Sequence, residues 1–276
     1  MAENYQSLSA NSDFEVQVRA ATVYAAHEAS MFLGGQTIPV VNAPNGLVKI
    51  PVLSGGAART LGVAGFTDGS TGTDYEDVNV DQITTSGSVD IVCDLIASRT
   101  VVRDLGAIDA TEIGRQLGNK VAAQFDSNVG DLLATLTNYA EASATTLTIE
   151  DVYGAIGAIR ATGEMGALFG FVSADKYGTM MSEIGSTAFA GGDWQGAALQ
   201  SGSLGSIAGC NFFVTSHLTN GVAILGGDAM RIAMQKNVDV EVARRAEAVG
   251  QDVVASLHAK AAIVDTTRGR FINLAS

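Results

Sequence analysis

A mixed α+β fold is predicted by three features of the sequence. One is an unbroken apolar face that recurs at three- and four-residue steps between residues 109 and 137. Another is a series of short apolar or alternating runs crowded between residues 168 and 274. The third is a glycine-bearing stretch, Ser54 to Asp77, held between strand patterns.

In chain order, residues 1–12 are polar and irregular. Residues 13–33 carry Phe14, Val18, Ala21, Val23, Ala25, Ala26, Met31 and Phe32 behind an Asn11-Ser12-Asp13 cap signal, which predicts an amphipathic helix that needs a partner to cover it. After a turn-rich stretch with Pro39 and Pro44, Val48, Ile50 and Val52 alternate with Lys49 and Pro51. Proline cannot donate to a ladder, so this strand belongs at an edge. Ser54 to Asp77 has glycines every few residues and neither a helical nor a strand period, while Val78 to Thr85 and Val89 to Ile96 resume the strand pattern. The result is an extended hairpin that cannot bury itself. Structureless runs of this length are uncommon inside compact domains and, when real, are functional or lie on a partner.

Asp109 and Glu112 have capping-box spacing, and Ile113, Leu117, Val121, Phe125, Val129, Leu132, Leu133 and Leu136 share one face. The predicted helix, 109–137, is roughly 40 Å long at 1.5 Å per residue. Its opposite face carries Arg115, Asn119, Gln124 and Asn128. A second helix follows Thr148 and Asp151, again at capping-box spacing, through Val152, Ile156 and Ile159. Then come a buried strand from Leu168 to Val172, a helix from Asp175 to Ile184, and a glycine-rich run from Gly185 to Gly209. Strands are predicted at Asn211–Ser216, Val222–Leu225, Met230–Met234, around Val238, Val240 and Val242, at Val253–Val264 and at Phe271–Leu274.

A chain of 276 residues, 47% hydrophobic and 16% charged, buries a sizeable core, which excludes disorder as its global state. With three prolines in all, the chain has no Pro-rich hinge, so one domain or two interleaved lobes are expected. The net charge of −13 opposes adhesion to nucleic acid, because phosphate binding is driven by Lys and Arg displacing counterions. Arg244 and Arg245, the densest basic pair, are flanked by Glu241 and Glu247. An acidic wall repels DNA, yet it can enclose the polymer without sticking to it. Cys93 and Cys210 lack CxxC spacing and a nearby histidine, and are read as core thiols of a reducing compartment. The first residues lack a basic segment followed by an apolar core, and no stretch reaches about 18 apolar residues, so neither a secretory leader nor a spanning helix is expected.

Catalytic signatures are weak. Gly202, Gly205 and Gly209 form neither GxGxxG nor a phosphate loop, and they are read as loop glycines. His27, His217 and His258 are scattered without HExxH or cysteine pairing, so no metal is expected. Ser70 and Ser203 stand near glycine without a GxSxG elbow. Asp74, Glu76 and Asp77 offer carboxylates to a cation, although a solvated loop tip is the plainer reading. Neither a catalytic residue nor a cofactor is assigned.

The order of parts, with "LGSIAGCNFFVTSHL" and "GVAILGGDAMRIAMQKNVDVEVARR" near the end, resembles the tailed-phage major capsid proteins of the Hong Kong phage fold over nearly all of the chain. The match rests on order and lengths, and its most specific part is 204–245. The resemblance implies an N-terminal arm (1–46), an extended loop hairpin (47–96), a peripheral domain (97–165 and 235–276) with spine helix 109–137, and an axial domain (166–234). It implies assembly into pentamers and hexamers of an icosahedral shell that encloses double-stranded DNA without reading its sequence. The expected place is the virion capsid, assembled in the host bacterial cytoplasm.

Further partners implied by the resemblance are a scaffolding protein, a portal and a decoration or cement protein. Because the chain starts almost directly with the arm, a separate scaffold is expected. Some relatives cross-link through a loop lysine, but 54–77 contains Arg59 and no lysine, so that chemistry is not expected. The assembly residues expected are Phe14 and Val18 of the arm together with Arg59, Phe66, Asp74, Glu76 and Asp77 of the loop. Leu117, Val121 and Phe125 are expected as the spine-helix core. Two alternatives stay open: a cellular nanocompartment shell of the encapsulin type, and a cytoplasmic enzyme of unknown chemistry. The long glycine-rich loop and the lack of an obvious cargo-binding helix at the start favour the phage reading.

Overall fold

The computed structural model describes residues 6–54, 84–103, 109–139, 147–184, 204–245, 247 and 249–274. Helix α1 spans Gln6–Ala29 and helix α2 spans Ala110–Leu133. The first helix runs through Asn11-Ser12-Asp13 instead of starting there. Such residue types cost at most roughly 0.7 kcal/mol each in a helix interior, which the packed remainder of the helix outweighs. Val18, Thr22, Ala25 and Ala26 are buried and recur at helical spacing, and α1 lies along α2 on that side. Contact is close because α2 presents Gly114 and Gly118. A Cβ on Gly114 would sit 2.6 Å from the Val18 carbonyl oxygen, and one on Gly118 would sit 2.4 Å from that of Thr22.

Asp109 caps α2 by accepting from the Thr111 and Glu112 amides. The Glu112 side chain instead takes Arg115 and Gln116, and the Arg115 guanidinium holds its carboxyl down to about 2. The helix stops short of 137 because residues 137–139 are recruited elsewhere. The Thr137 carbonyl accepts from the Phe271 amide at 3.0 Å, and the Tyr139 amide donates to the Phe271 carbonyl at 2.8 Å.

The end of α1 is fixed by a buried carboxylate on α2. Asp126, 3% exposed, accepts from Ser30 Oγ at 2.5 Å and from the Met31 amide at 3.0 Å. Ser30 Oγ in turn accepts from the Phe32 and Leu33 amides, turning the chain inward. Burial pushes the Asp126 carboxyl above its ordinary 3.8. A raised folded value means that the folded state keeps this proton to higher pH than the unfolded chain does. The stability it contributes is complete below the ordinary value and is lost as pH rises through the raised one. Asp126→Asn cannot titrate, so urea melts across that window should show wild-type stability falling relative to the variant as pH rises. A constant offset of about 1 kcal/mol against the variant is expected for the lost acceptor.

One four-stranded sheet follows the order β1-β9-β10-β4, made of Val40–Asn42 (β1), Asp94–Arg103 (β4), Met230–Arg245 (β9) and Gly250–Ile263 (β10). The two strand patterns read at 230–234 and 238–242 are one continuous β9. Across its exposed middle, Gln235 to Asn237, the ladder with β10 is irregular: only Lys236 of the three has a register partner, His258. The sheet packs on α2, and its inward residues Val238, Val240, Val253, Ala255 and Leu257 join Leu117, Val121 and Phe125 in one core.

A second, five-stranded sheet follows the order β11-β8-β5-β7-β6, made of Leu168–Ser173 (β5), Ser206–Ile207 (β6), Cys210–Thr215 (β7), Gly221–Gly226 (β8) and Gly269–Asn273 (β11). Helices α3 (Ile149–Arg160) and α4 (Ala174–Ile184) pack with it. The Thr148 and Asp151 capping box is present in both directions. All six residues of β8 are buried, with Ala223 and Leu225 facing the first core and Val222 and Ile224 the second. Burial on both faces is why this strand reads as a continuous apolar run. Gly205 and Gly209 both have positive φ, so their place in the sequence reflects tight turns around β6.

Packing partners add detail at two places. Residues 149–160 and 269–273 belong with the second sheet, because α3 buries Val152, Ala155, Ile156 and Ile159 there and β11 supplies the outer partner of β8. Within the N-terminal segment, α1 is seated on α2, and β1 pairs in parallel with β9.

Residues Lys49–Asp90 form a compact unit of their own. Within it, β2 (Leu47–Ser54) pairs with β3 (Thr84–Val92). Pro51 is accommodated in a sheet whose two strands are both edges. Lys49 and Asp90 pair at 3.1 Å, and the Lys49 ammonium and the Ser88 hydroxyl lower the Asp90 carboxyl from its ordinary range.

Candidate assembly surfaces

Helix α1 carries apolar residues beyond its inner stripe. Val16, Ala20, Val23, Tyr24 and His27 also recur at steps of three and four, on the outward side, where they line a shallow apolar groove. Val16 is 65% exposed and Tyr24 70%. Arg19 borders this stripe and is tied to Asp239 of β9. The Lys236 ammonium first, with Arg19 adding to it, holds the Asp239 carboxyl down to about 2. His27 Nε2 lies 3.1 Å from the Asn237 side-chain nitrogen. Arg19 and His27 thus tie the C-terminal half of the helix to β9, while the apolar atoms of the outward stripe face solvent.

A second surface lies where α2 meets β4 and β10. A groove of about 440 Å³ is lined by Phe125, Asn128, Leu132, Ala259 and Lys260, with the Lys260–Asp94 ion pair, 3.0 Å, at its margin. Strand β4 stands at the end of its sheet, and among the described residues no strand pairs with its outer side. Leu95 is 63% exposed there. Arg99, bonded to Asp252, and Asp94 place charges along this strand, a common way of keeping an open edge from unspecific pairing.

The expected assembly residues fall into three groups. Phe14 is half-buried against the chain's own core, and Val18 is fully buried there, which leaves Val18 no surface for a neighbour. Arg59, Phe66, Asp74, Glu76 and Asp77 lie outside the described residues. Leu117, Val121 and Phe125 are 2% exposed or less and line the α2 face towards the first core. The outward stripe of α1 was missed although its spacing is visible in the sequence; two apolar stripes on one helix cancel its amphipathic pattern.

Little in the described residues suggests chemistry. No group of three His, Cys, Asp or Glu side chains is placed to hold a metal among them. Burial pushes the Cys210 thiol up to about 12, and it raises half-buried Cys93 as well, so neither is poised as a nucleophile. Half-buried Cys93 departs from the core position expected of it. No helix of the described residues is long and apolar enough to cross a membrane.

No protein-family model and no curated protein matches the chain. Solved structures do. A virus-like particle from Pyrococcus furiosus shares 11% identity at a TM-score of 0.64, with 94% of this chain and 99% of that one covered. A structure from Microbacterium phage Oxtober96 shares 12% at 0.65, covering 89% and 91%. The capsid structure of Cyanophage P-SCSP1u shares 15% at 0.60, covering 87% and 86%. The chain has the Hong Kong phage-type capsid fold.

Proposed function

We propose that this chain is a shell subunit, the major capsid protein of a tailed phage, which assembles with copies of itself into pentamers and hexamers around double-stranded DNA. The observation that carries the reading is the outward stripe of α1, an apolar surface rigidly held on a subunit whose fold is similar over most of its length to proteins solved as capsids and particles. Burying such a stripe on a neighbour removes Val16 and Tyr24 from water, and ordinary interfaces of ~1,600 Å² repeated over a closed shell add to high stability. The first sheet with α2 corresponds to the peripheral domain and the second sheet with α3 and α4 to the axial domain. Residues 47–96 correspond to the extended loop, with Arg59 and Phe66 as contacts to a neighbour. The net charge of −13 suits a wall that encloses DNA without gripping it. The subunit needs no catalytic step for this role. A separate scaffolding protein, a portal and a decoration protein complete the proposed assembly in the host cytoplasm.

A cellular nanocompartment shell is the second reading, favoured by the mutual near-full-length match to the Pyrococcus furiosus particle. Against it stand the long glycine-rich loop and the lack of an obvious cargo-binding helix at the start of the sequence; α1, at residues 6–29, is seated on α2.

The test is assembly of the purified chain, with scaffold supplied, followed by negative-stain microscopy and analysis of the contents. Val16→Asp and Tyr24→Asp should leave the subunit folded, as read by unchanged circular dichroism and melting, while lowering particle yield at least about tenfold, the effect of roughly 1.4 kcal/mol at an interface. Wild-type chain that stays monomeric at high concentration would overturn the shell reading. Large DNA-filled particles and small protein-filled ones separate the phage from the nanocompartment.

A further inference from the structure

The chain crosses directly between its two sheets twice in the last part of its length, and the crossings lie side by side. Residues 227–229 lead from β8 of the second sheet to β9 of the first, and residues 264–268 return from β10 to β11. The crossings are stitched by backbone bonds: the Ala229 carbonyl accepts from the Val264 amide at 2.8 Å and from the Asp265 amide at 3.2 Å. Above this seam, the Arg268 guanidinium meets three carboxylates. They are Asp228 on the first crossing at 3.2 Å, Asp265 on the second at 3.1 Å, and Glu164 on the turn between α3 and β5 at 3.1 Å. Arg231 at the start of β9 braces the other oxygen of Asp228 and donates to the Gly227 carbonyl at 2.7 Å. The Glu164 side chain is 10% exposed and its second oxygen accepts from the Gly166 amide. Removing the cation would leave three carboxylates facing one another with a single arginine among them.

We infer that Arg268 is an ionic clasp that sets the angle between the two sheets, and that this seam loosens when its charges are screened. Two β-sheets joined by crossings this short move relative to one another only if the Val264 and Asp265 amides leave Ala229 or the crossings themselves bend. The clasp opposes both. Its charges reach solvent through Asp228, 61% exposed, so salt reaches them, whereas the apolar cores on either side are indifferent to it. In a shell the same subunit must sit in five- and six-membered rings, a consequence that rests on the reading above. The seam is then the place where one sequence accommodates two environments.

Amide hydrogen exchange on the unassembled full-length chain tests the clasp. Raising salt from about 0.05 to 0.5 M shortens the Debye length to under half and should speed exchange of peptides covering 227–231 and 262–268 roughly three- to tenfold, with α2 and β8 unchanged. Arg268→Met should be fast already at low salt and lose the salt response, while Arg268→Lys should restore part of it. Salt-independent exchange of the wild-type seam overturns the clasp, as does a loss of protection that spreads equally over the whole chain. Should Arg268→Met not fold, the wild-type salt series and Asp228→Asn, expected to show a weakened salt response, decide the question. Failure of the wild type to form particles counts against the shell reading and leaves the exchange result to judge the clasp.

Discussion

Phe125→Ala is expected to lower the stability of the chain by about 3–5 kcal/mol, the usual range for removing a buried aromatic ring. Phe125 is 1% exposed and stands on α2 between Val121 and Val129, where the helix meets β10 and β4. The helix is held on its other side by α1 through Gly114 and Gly118, which limits how far it can shift to close the gap. Against a typical domain stability of ~5–15 kcal/mol, this leaves a marginally stable chain. Arg115→Ala removes only an exposed pair with Glu112 and should change stability by less than about 0.5 kcal/mol. Urea unfolding of both variants checks the contrast. Equal midpoints for Phe125→Ala and wild type would show that α2 is not a packed strut.

Gly118→Ala carries the second large effect, with a sign opposite to helix propensity. In an isolated helix the change stabilises by about 1 kcal/mol. Here the new methyl would lie 2.4 Å from the Thr22 carbonyl oxygen and 3.0 Å from the Ala26 amide nitrogen. Both are backbone atoms, so α1 as a whole must move, and such overpacking costs about 1–3 kcal/mol. Gly157→Ala is the control: this exposed glycine of α3 has nothing within 4 Å of a Cβ, and its replacement should raise the melting temperature. The pair of variants, measured by thermal unfolding, isolates the helix contact from propensity. A rise for both would show that α1 is not seated against α2.

Much of the architecture was readable from period and punctuation. Leu117, Val121 and Phe125 mark α2, the Thr148 and Asp151 spacing marks the start of α3, and the apolar run at 222–225 marks the strand β8. What escaped the reading depends on pairing between distant segments. Gly114 and Gly118 look like weak points in a helix until α1 is laid across them. The turn at Ala134 to Leu136 cannot be foreseen without knowing that Phe271 takes Thr137 and Tyr139 as partners. The three carboxylates around Arg268 come from residues 164, 228 and 265, and no local pattern joins them. The candidate surface on α1 was half legible: the helix was expected, but its exposed apolar stripe with Val16 and Tyr24 was not singled out, and Val18 is buried against the chain's own core.

The pairing of Val40 with Ile232 and of Asp94 with Ala259 has a kinetic consequence. The first sheet is knitted from segments that lie far apart along the chain, and closing such large loops before any contact rewards it slows folding. Helices α1 and α2 can meet early, but the sheet beneath them waits for β9 and β10. Completion of the first sheet, and not formation of the helices, is therefore expected to set the pace at which the chain reaches its folded state.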